Sequence, residues 1–216
     1  MHMMLAMLVA FCFAFPHATN AQAQARIVGD ADHPRATGIM GDADRPTSYS
    51  LDSNSVIHLN GTSTLHNWTM TAHSFTGRAN VTFNTDHQLS SITGFSLRLP
   101  VRNLKGENSG MEKSTYKALK EDKFKDIVFE LASASFIKSG SEHYLVLLHG
   151  NLTMAGVTRP TTLKASAQIN EDGTILCSGE LPVYMSNYDI ERPTYLLGTM
   201  KVGDLLLLTY NLLLVK

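Results

Sequence analysis

From Tyr49 onward the chain alternates apolar and polar residues in short, repeated blocks. The clearest block sets Phe75, Gly77, Ala79, Val81 and Phe83 against Thr76, Arg78, Asn80, Thr82 and Asn84. Such a period of two places the two sets on opposite faces of a pleated strand. Ser91–Val101 repeats it with Phe95, Leu97 and Leu99 against Ser96 and Arg98, and Ile127–Phe136 with Ile127, Phe129 and Leu131 against Glu130. Further strands are predicted at Tyr49–Leu51, Asn54–Thr62, Trp68–His73, Tyr144–Met154, Pro160–Ile169, Thr174–Tyr184 and Leu205–Val215. Short turns such as the polar Asp52-Ser53-Asn54 separate them, and about eight or nine such strands make the pattern of an all-β sandwich or a closed antiparallel barrel.

The segment Gly150–Leu163, GNLTMAGVTRPTTL, carries the sharpest local signal. One parity runs through Tyr144, Val146, Leu148, Gly150, Leu152 and Met154; after a reversal at Ala155-Gly156-Val157 it resumes at Leu163, Ala165, Ala167 and Ile169. Gly156 supplies the positive φ that a tight hairpin requires. Pro160, lacking an N–H for the ladder, is expected at the start of the second strand.

Two stretches break the alternation. Gly110–Phe124 places Met111, Tyr116, Leu119 and Phe124 among helix-favouring residues, which predicts one or two short helices across a barrel mouth. Asn187–Val202 is too irregular for a strand yet holds Tyr188, Ile190, Tyr195, Leu196, Leu197 and Met200. A loop so apolar packs on the core or lines a ligand mouth.

The first 25 residues are set apart from the domain. Met3–Phe15 is an apolar run too short to cross a bilayer as a stable helix. Pro16 and small residues follow, with cleavage patterns at Ala21-Gln22-Ala23 and Ala23-Gln24-Ala25. This is the plan of a secretory signal peptide, which implies a periplasmic or secreted protein. No later stretch is long and uncharged enough to span a membrane. Residues 26–48 repeat GDADHP and GDADRP, at Gly29–Pro34 and Gly41–Pro46. Their composition predicts a flexible linker, since neither copy continues into a calcium loop with a distal Glu. The domain then covers 49–216.

Composition narrows the chemistry. Eighteen Lys and Arg balance nineteen Asp and Glu among 216 residues, and no basic run offers a footprint for nucleic acid. After cleavage Cys177 is the sole cysteine, on the same parity as Ile175, Leu181 and Val183, so it reads as a small core hydrophobe. The chain contains no HExxH pair, GxSxG elbow or P-loop. The densest polar cluster is His66-Asn67-Trp68 with His73 close by. His66 could meet a ligand head group beside Trp68, or simply be satisfied by backbone at a strand edge; two histidines alone do not make a metal site. Glu191-Arg192 reads as a solvated pair near the mouth. The expectation is a non-enzyme without metal or cofactor.

The order of these features resembles the YceI-like family of exported bacterial lipid-binding proteins. The resemblance lies in YSLDSNSVIHLNG, Ile92–Leu99, KEDKFKDIVFE at Lys120–Glu130, the GNLTMAGVTRPTTL hairpin and the closing VGDLLLLTYNLLL. Asp126 stands before Ile127 where the family commonly has proline, and Thr64-Leu65-His66-Asn67-Trp68 replaces its glycine-rich run. The resemblance implies a lipocalin-like antiparallel barrel of about eight strands, able to hold one ligand in its lumen. It further implies a long-chain isoprenoid lipid as that ligand, of the polyprenyl quinone or polyprenyl alcohol class, carried or sequestered. Parity and size give the lumen candidates Phe75, Phe83, Phe95, Leu97, Phe129, Tyr144, Val146, Leu152 and Tyr184, with Trp68 added from the cluster above. His66, Tyr188, Arg192 and Tyr195 are candidates for the head group or mouth. Two other readings stay open: a structural or envelope-stress module with a collapsed interior, and a hydrolase or isomerase built on His66.

The last strand, LLLLTYNLLLV, is apolar on both parities, as is Leu145-Val146-Leu147-Leu148. One barrel face looks outward, so these runs call for an external cover. A homodimer supplies it. Light scattering on the purified protein should return the mass of two chains, and a clean monomer would sink the expectation.

Overall fold

The computed structural model describes residues 45–195 and 200–216, without the side chains of 195 and 200. The predicted signal peptide and nearly all of the linker lie outside those residues, as does the side chain of Tyr195. Among the described residues eleven strands occur in the order β1 (Thr47–Leu51), β2 (Val56–Ser63), β3 (Asn67–Ala72), β4 (Thr76–Phe83), β5 (Leu89–Pro100), β6 (Asp126–Lys138), β7 (His143–Met154), β8 (Val157–Ile169), β9 (Ile175–Tyr184), β10 (Thr194–Tyr195) and β11 (Met200–Val215). Among the same residues one helix, α1 (Ser109–Ala118), and two 3-10 turns, Val101–Asn103 and Met185–Tyr188, interrupt them.

The strands close into an antiparallel barrel. Neighbours run β4-β5-β6-β7-β8-β9-β11, and β11 then meets both β1 and β2. Those two behave as one strand bent at a corner. Asp52 fixes the corner: its Oδ1 accepts the Asn54 N–H at 2.8 Å, and its carbonyl accepts the Ser55 N–H at 3.0 Å. β3 and β4 make a second bent strand, β3 pairing with β2 and β4 with β1. With each bent pair taken as one, eight strands complete the ring. Closure pairs the ring strands on both sides over most of their length, which shortens the unpaired edges that would template aggregation; the first part of β8 is paired only to β7 and the strand partner of β3 is β2.

Inward parity matches the alternation. Ala79 and Val81 of β4, Phe95 and Leu99 of β5, Ile127 and Phe129 of β6, and Tyr144, Val146, Leu148 and Leu152 of β7 are all buried. Each large side chain removed from water contributes about 1.5–3 kcal/mol, which explains why the register holds. The β7–β8 turn is tight, with Met154 paired to Val157 and positive φ at both Ala155 (50°) and Gly156 (85°). Two positive φ values are the signature of the type I′ hairpin, whose twist suits the flanking strands.

Several boundaries differ from the sequence reading. β1 begins at Thr47, two residues inside the stretch read as linker. Pro160 lies within β8 rather than at its start; there β8 is paired only to β7, because pairing with β9 begins at Lys164. A proline on an unpaired side costs no ladder bond. β11 starts at Met200, not Leu205, through an irregularity between Val202 and Leu206. Asp204 breaks the apolar run there because its carboxylate accepts from the Ser186 N–H (2.9 Å) and hydroxyl (2.6 Å). Tyr184, chosen as a lumen residue, faces outward and is 49% exposed beside its partner Leu205, 46% exposed. Its parity is opposite to that of Leu181 and Val183, which are the buried pair.

The helix is placed by polar ties at both ends. Asn108 caps it, its side chain accepting the Met111 N–H at 2.9 Å. Beyond the helix, the Glu121 carboxylate takes a bidentate pair of bonds from Arg102 (2.9 and 3.0 Å) and one from Lys125 (3.1 Å). The Tyr116 hydroxyl sits at 2.9 Å from the Leu104 carbonyl and 3.0 Å from that of Arg102. Among the described residues no helix is long and apolar enough to cross a membrane.

Two stability tests follow from these contacts. Gly156→Ala puts a Cβ on a left-handed residue and into the Phe124 ring, and should cost at least about 1–2 kcal/mol in a denaturant titration. Hydrogen bonds from Arg102 and Lys125 hold the Glu121 carboxyl below the usual glutamate range. The resulting stabilisation is complete above the ordinary glutamate pKa and is lost as pH falls through the lowered value. Melting temperatures measured across that acid window should fall less steeply for Glu121→Gln than for the parent chain.

Candidate functional site

The barrel interior is not evenly filled. A cavity of about 590 Å³ lies under α1, and a small void of about 60 Å³ lies toward the opposite end. The cavity is built from four pieces of chain that the fold brings to one rim. β2 and β11 contribute Leu59, Val202 and Leu206. The segment after β9 adds Met185, Ile190 and Pro193. The helix and its approach give Glu107, Asn108, Gly110, Met111, Ser114, Thr115, Ala118 and Leu119. The β2–β3 hairpin supplies Ser63, His66 and Trp68.

Each piece has a local reason for its position. In the hairpin turn, the Ser63 hydroxyl donates to the His66 carbonyl (2.9 Å) and accepts from the His66 N–H (3.2 Å). Trp68 pairs with Gly61 across the strands and its ring lies over that glycine, where any Cβ would collide with the indole. Its Nε1–H donates to the Thr62 carbonyl at 3.2 Å. Indole is thus fixed as a wall, with its polar edge satisfied. The 3-10 turn at Met185–Tyr188 ends on Asp189, at φ 51°, and the Ile190 N–H donates to the Met185 carbonyl at 3.1 Å. Both apolar side chains are thereby buried.

The helix spans the opening without sinking into it. None of its residues is buried, yet Met111, Tyr116 and Ala118 pack against the core. Thr115 approaches Met70 of β3, with Oγ1 at 3.0 Å from the sulfur. The chamber is therefore greasy within. Its polar groups are Ser63, His66, Glu107, Asn108, Ser114 and Thr115, with His66, Glu107 and Asn108 exposed.

Some of the sequence candidates line one of the two spaces and the others line neither. Trp68 and His66 line the large cavity. Phe95, Tyr144 and Val146 line the small void. Phe129 and Leu152 are buried and line neither, while Phe75, Phe83 and Leu97 are half-buried against the core. Tyr188 is buried, its hydroxyl 3.4 Å from that of Thr161. Arg192 is exposed and helps to hold the Asp204 carboxyl below its usual range, after the larger effect of the Ser186 hydrogen bonds. Cys177 faces inward on the void, and burial pushes its thiol up to about 12, as expected of a packing residue rather than a nucleophile.

Met111, Ala118, Met185 and Leu206 line the cavity and were not singled out as site residues. The usable signal was regional: the helix was expected across a mouth, and the apolar segment 187–202 beside one. Alternation gives the face of a strand and not its height along the barrel axis.

Comparison with known proteins agrees with this architecture. A search of curated proteins returns no match. BcnA from Burkholderia cenocepacia superposes with a TM-score of 0.60 at 15% identity, covering 76% of this chain and 98% of its own. A polyisoprenoid binding domain from Saccharophagus degradans, implicated in plant cell wall breakdown, gives 0.60 at 12% identity, covering 77% of this chain and 97% of its own. At such identities the likeness is one of fold. The sequence profile of the YceI-like domain matches residues 49–213, from the first strand to the last, and the chain belongs to the YceI-like family.

Proposed function

We propose that the protein binds a lipid, with an isoprenoid chain in the cavity under α1 and the head group at the rim. The observation that carries this is the cavity itself: about 590 Å³, open at the rim and lined by Leu59, Trp68, Met111, Met185, Ile190 and Leu206. That size falls within the range of about 300–1,000 Å³ found for small-molecule sites. An apolar chain placed there gains about 25 cal/mol for every Å² it removes from water. The fold shared with a polyisoprenoid binding domain supports the prenyl class over a straight acyl chain.

The rim favours an uncharged head. Among the described residues lining the cavity there is no Lys or Arg, and Glu107 adds negative charge. A diphosphate would be desolvated beside a carboxylate without the cationic partners it needs. A hydroxyl or quinone oxygen instead finds donors and acceptors in Ser63, His66, Asn108 and Ser114. The role that fits is carriage or sequestration, outside the cytoplasm, as the signal-peptide pattern of residues 1–25 indicates.

Trp68 is the only tryptophan of the chain and stands in the cavity wall, so its emission reports occupancy. Organic extraction of the purified protein should release a prenyl lipid identifiable by mass spectrometry. Geranylgeraniol added back to the delipidated protein should shift the Trp68 emission to the blue in a saturable titration. An empty extract together with unmoved fluorescence would overturn the reading.

A further inference from the structure

Charge is not spread evenly over the domain. Residues 98–126, which run from β5 through α1 into β6, hold eight Lys and Arg against five Asp and Glu, while the chain as a whole carries a formal charge of -1. Three of the five acids are already paired: Asp126 with Arg98, Glu112 with Lys105, and Glu121 with both Arg102 and Lys125. Those pairs leave Lys113, Lys117, Lys120 and Lys123, none of which has an ion-pair partner among the described residues.

These four lysines follow one another along the outside of the cavity mouth. The helix turns Gly110, Met111, Ser114, Thr115 and Ala118 toward the cavity. With about 3.6 residues per turn, Lys113 and Lys117 fall on its opposite side, one turn apart, and both are exposed. The Lys120 N–H then donates to the Lys117 carbonyl at 3.0 Å, and the Lys123 N–H to the Lys120 carbonyl at 2.9 Å. The row of cations thus continues past the helix end. Two exposed apolar side chains accompany it: Leu65, in the turn beside the cavity residue His66, and Phe124, between Lys123 and Lys125.

Resting on the lipid reading above, we propose that this basic surface docks on an anionic lipid bilayer and sets the cavity mouth against the membrane. Each Lys brought near such a surface strengthens binding about fivefold. Leu65 and Phe124 add apolar contacts of the kind that enter the head-group layer beside cations. The cavity supplies the reason for a bilayer rather than another polyanion. A prenyl chain crossing open water would expose all of its apolar surface, whereas a mouth held on the membrane passes it from one apolar phase to another. Attachment through four cations without a long apolar anchor is reversible and screened by salt, which suits a protein that must leave with its load.

The test is co-sedimentation of the purified protein with vesicles of phosphatidylcholine, alone or with about one third phosphatidylglycerol. Binding should be at least about tenfold tighter with the anionic lipid at low salt, and should be lost on raising salt to about 0.5 M. The combined variant Lys113→Gln, Lys117→Gln, Lys120→Gln and Lys123→Gln should lose that preference. It should still bind geranylgeraniol, its Trp68 titration within about twofold of the parent, because none of the four lines the cavity. Lys138→Gln with Lys164→Gln, on β6 and β8, should keep the preference in full. Should the combined variant misfold by circular dichroism, Lys113→Gln with Lys117→Gln alone should weaken anionic binding at least about tenfold. Equal binding to both kinds of vesicle would overturn the inference, as would a preference that survives in the variants. So would no binding to either, the result expected if the patch receives an acidic protein. Each of these leaves the lipid reading intact. A parent chain that binds no geranylgeraniol would strike the lipid reading itself, and this inference with it.

Discussion

Ring closure by β11 is the constraint on which the rest depends. This strand pairs with β9 and β10 and with both β1 and β2, and no other strand among the described residues has so many partners. Once the ring is closed, its circumference is fixed by strand number and stagger, and its volume follows. The interior then has to be filled by side chains or left for a guest. Every property of the site is a local answer to that requirement.

The answers differ at the two ends although the alternation is the same. Around the void, strands from β4 to β9 send in Val81, Phe95, Tyr144, Val146 and Ile175, and Tyr144 also receives the Leu89 N–H on its hydroxyl at 3.2 Å. Large side chains and an internal hydrogen bond close that end. At the other end β2 has Gly61, Trp68 lies flat against it, and the chain leaves the barrel wall to form α1. The helix covers the opening with a face that never becomes buried, so the space beneath it stays open. Its tethers act on its flanks, through Asn108, Tyr116 and the Arg102–Glu121 pair, and not through plugs driven into the lumen.

The fold was legible because its signals are periodic. Strand faces, the Gly156 turn and the helix near a mouth could be read from residue order, since each depends on neighbours in sequence. The site was legible only in part, and the reason is geometric. Phe129 and Trp68 are both bulky and inward-facing, yet one packs the middle of the barrel and the other walls the cavity. The difference is depth along the axis, set by stagger between strands far apart in sequence. Leu206 and Met185 reach the cavity through the pairing of β9 with β11, which no local pattern encodes. Tyr184 failed for a simpler reason: one position of slip in parity reverses a side chain's face.

Depth also explains why a lipid site can exist with so little polar chemistry. A catalytic centre needs several groups converging on one point, and sequence motifs record such convergence. A lipid chamber needs only that inward residues stop short of filling their share of a closed ring. The deficit here arises along the helix, where Gly110, Ser114, Thr115 and Ala118 present small side chains to the cavity. Small residues beside Trp68, Met111 and Met185 leave space while keeping the walls apolar. Opening the ring would expose those walls to water as a continuous apolar patch, the kind of surface that soluble proteins keep small. Barrel closure and ligand capacity are therefore one design, since the same ladders that close the ring also wall the chamber.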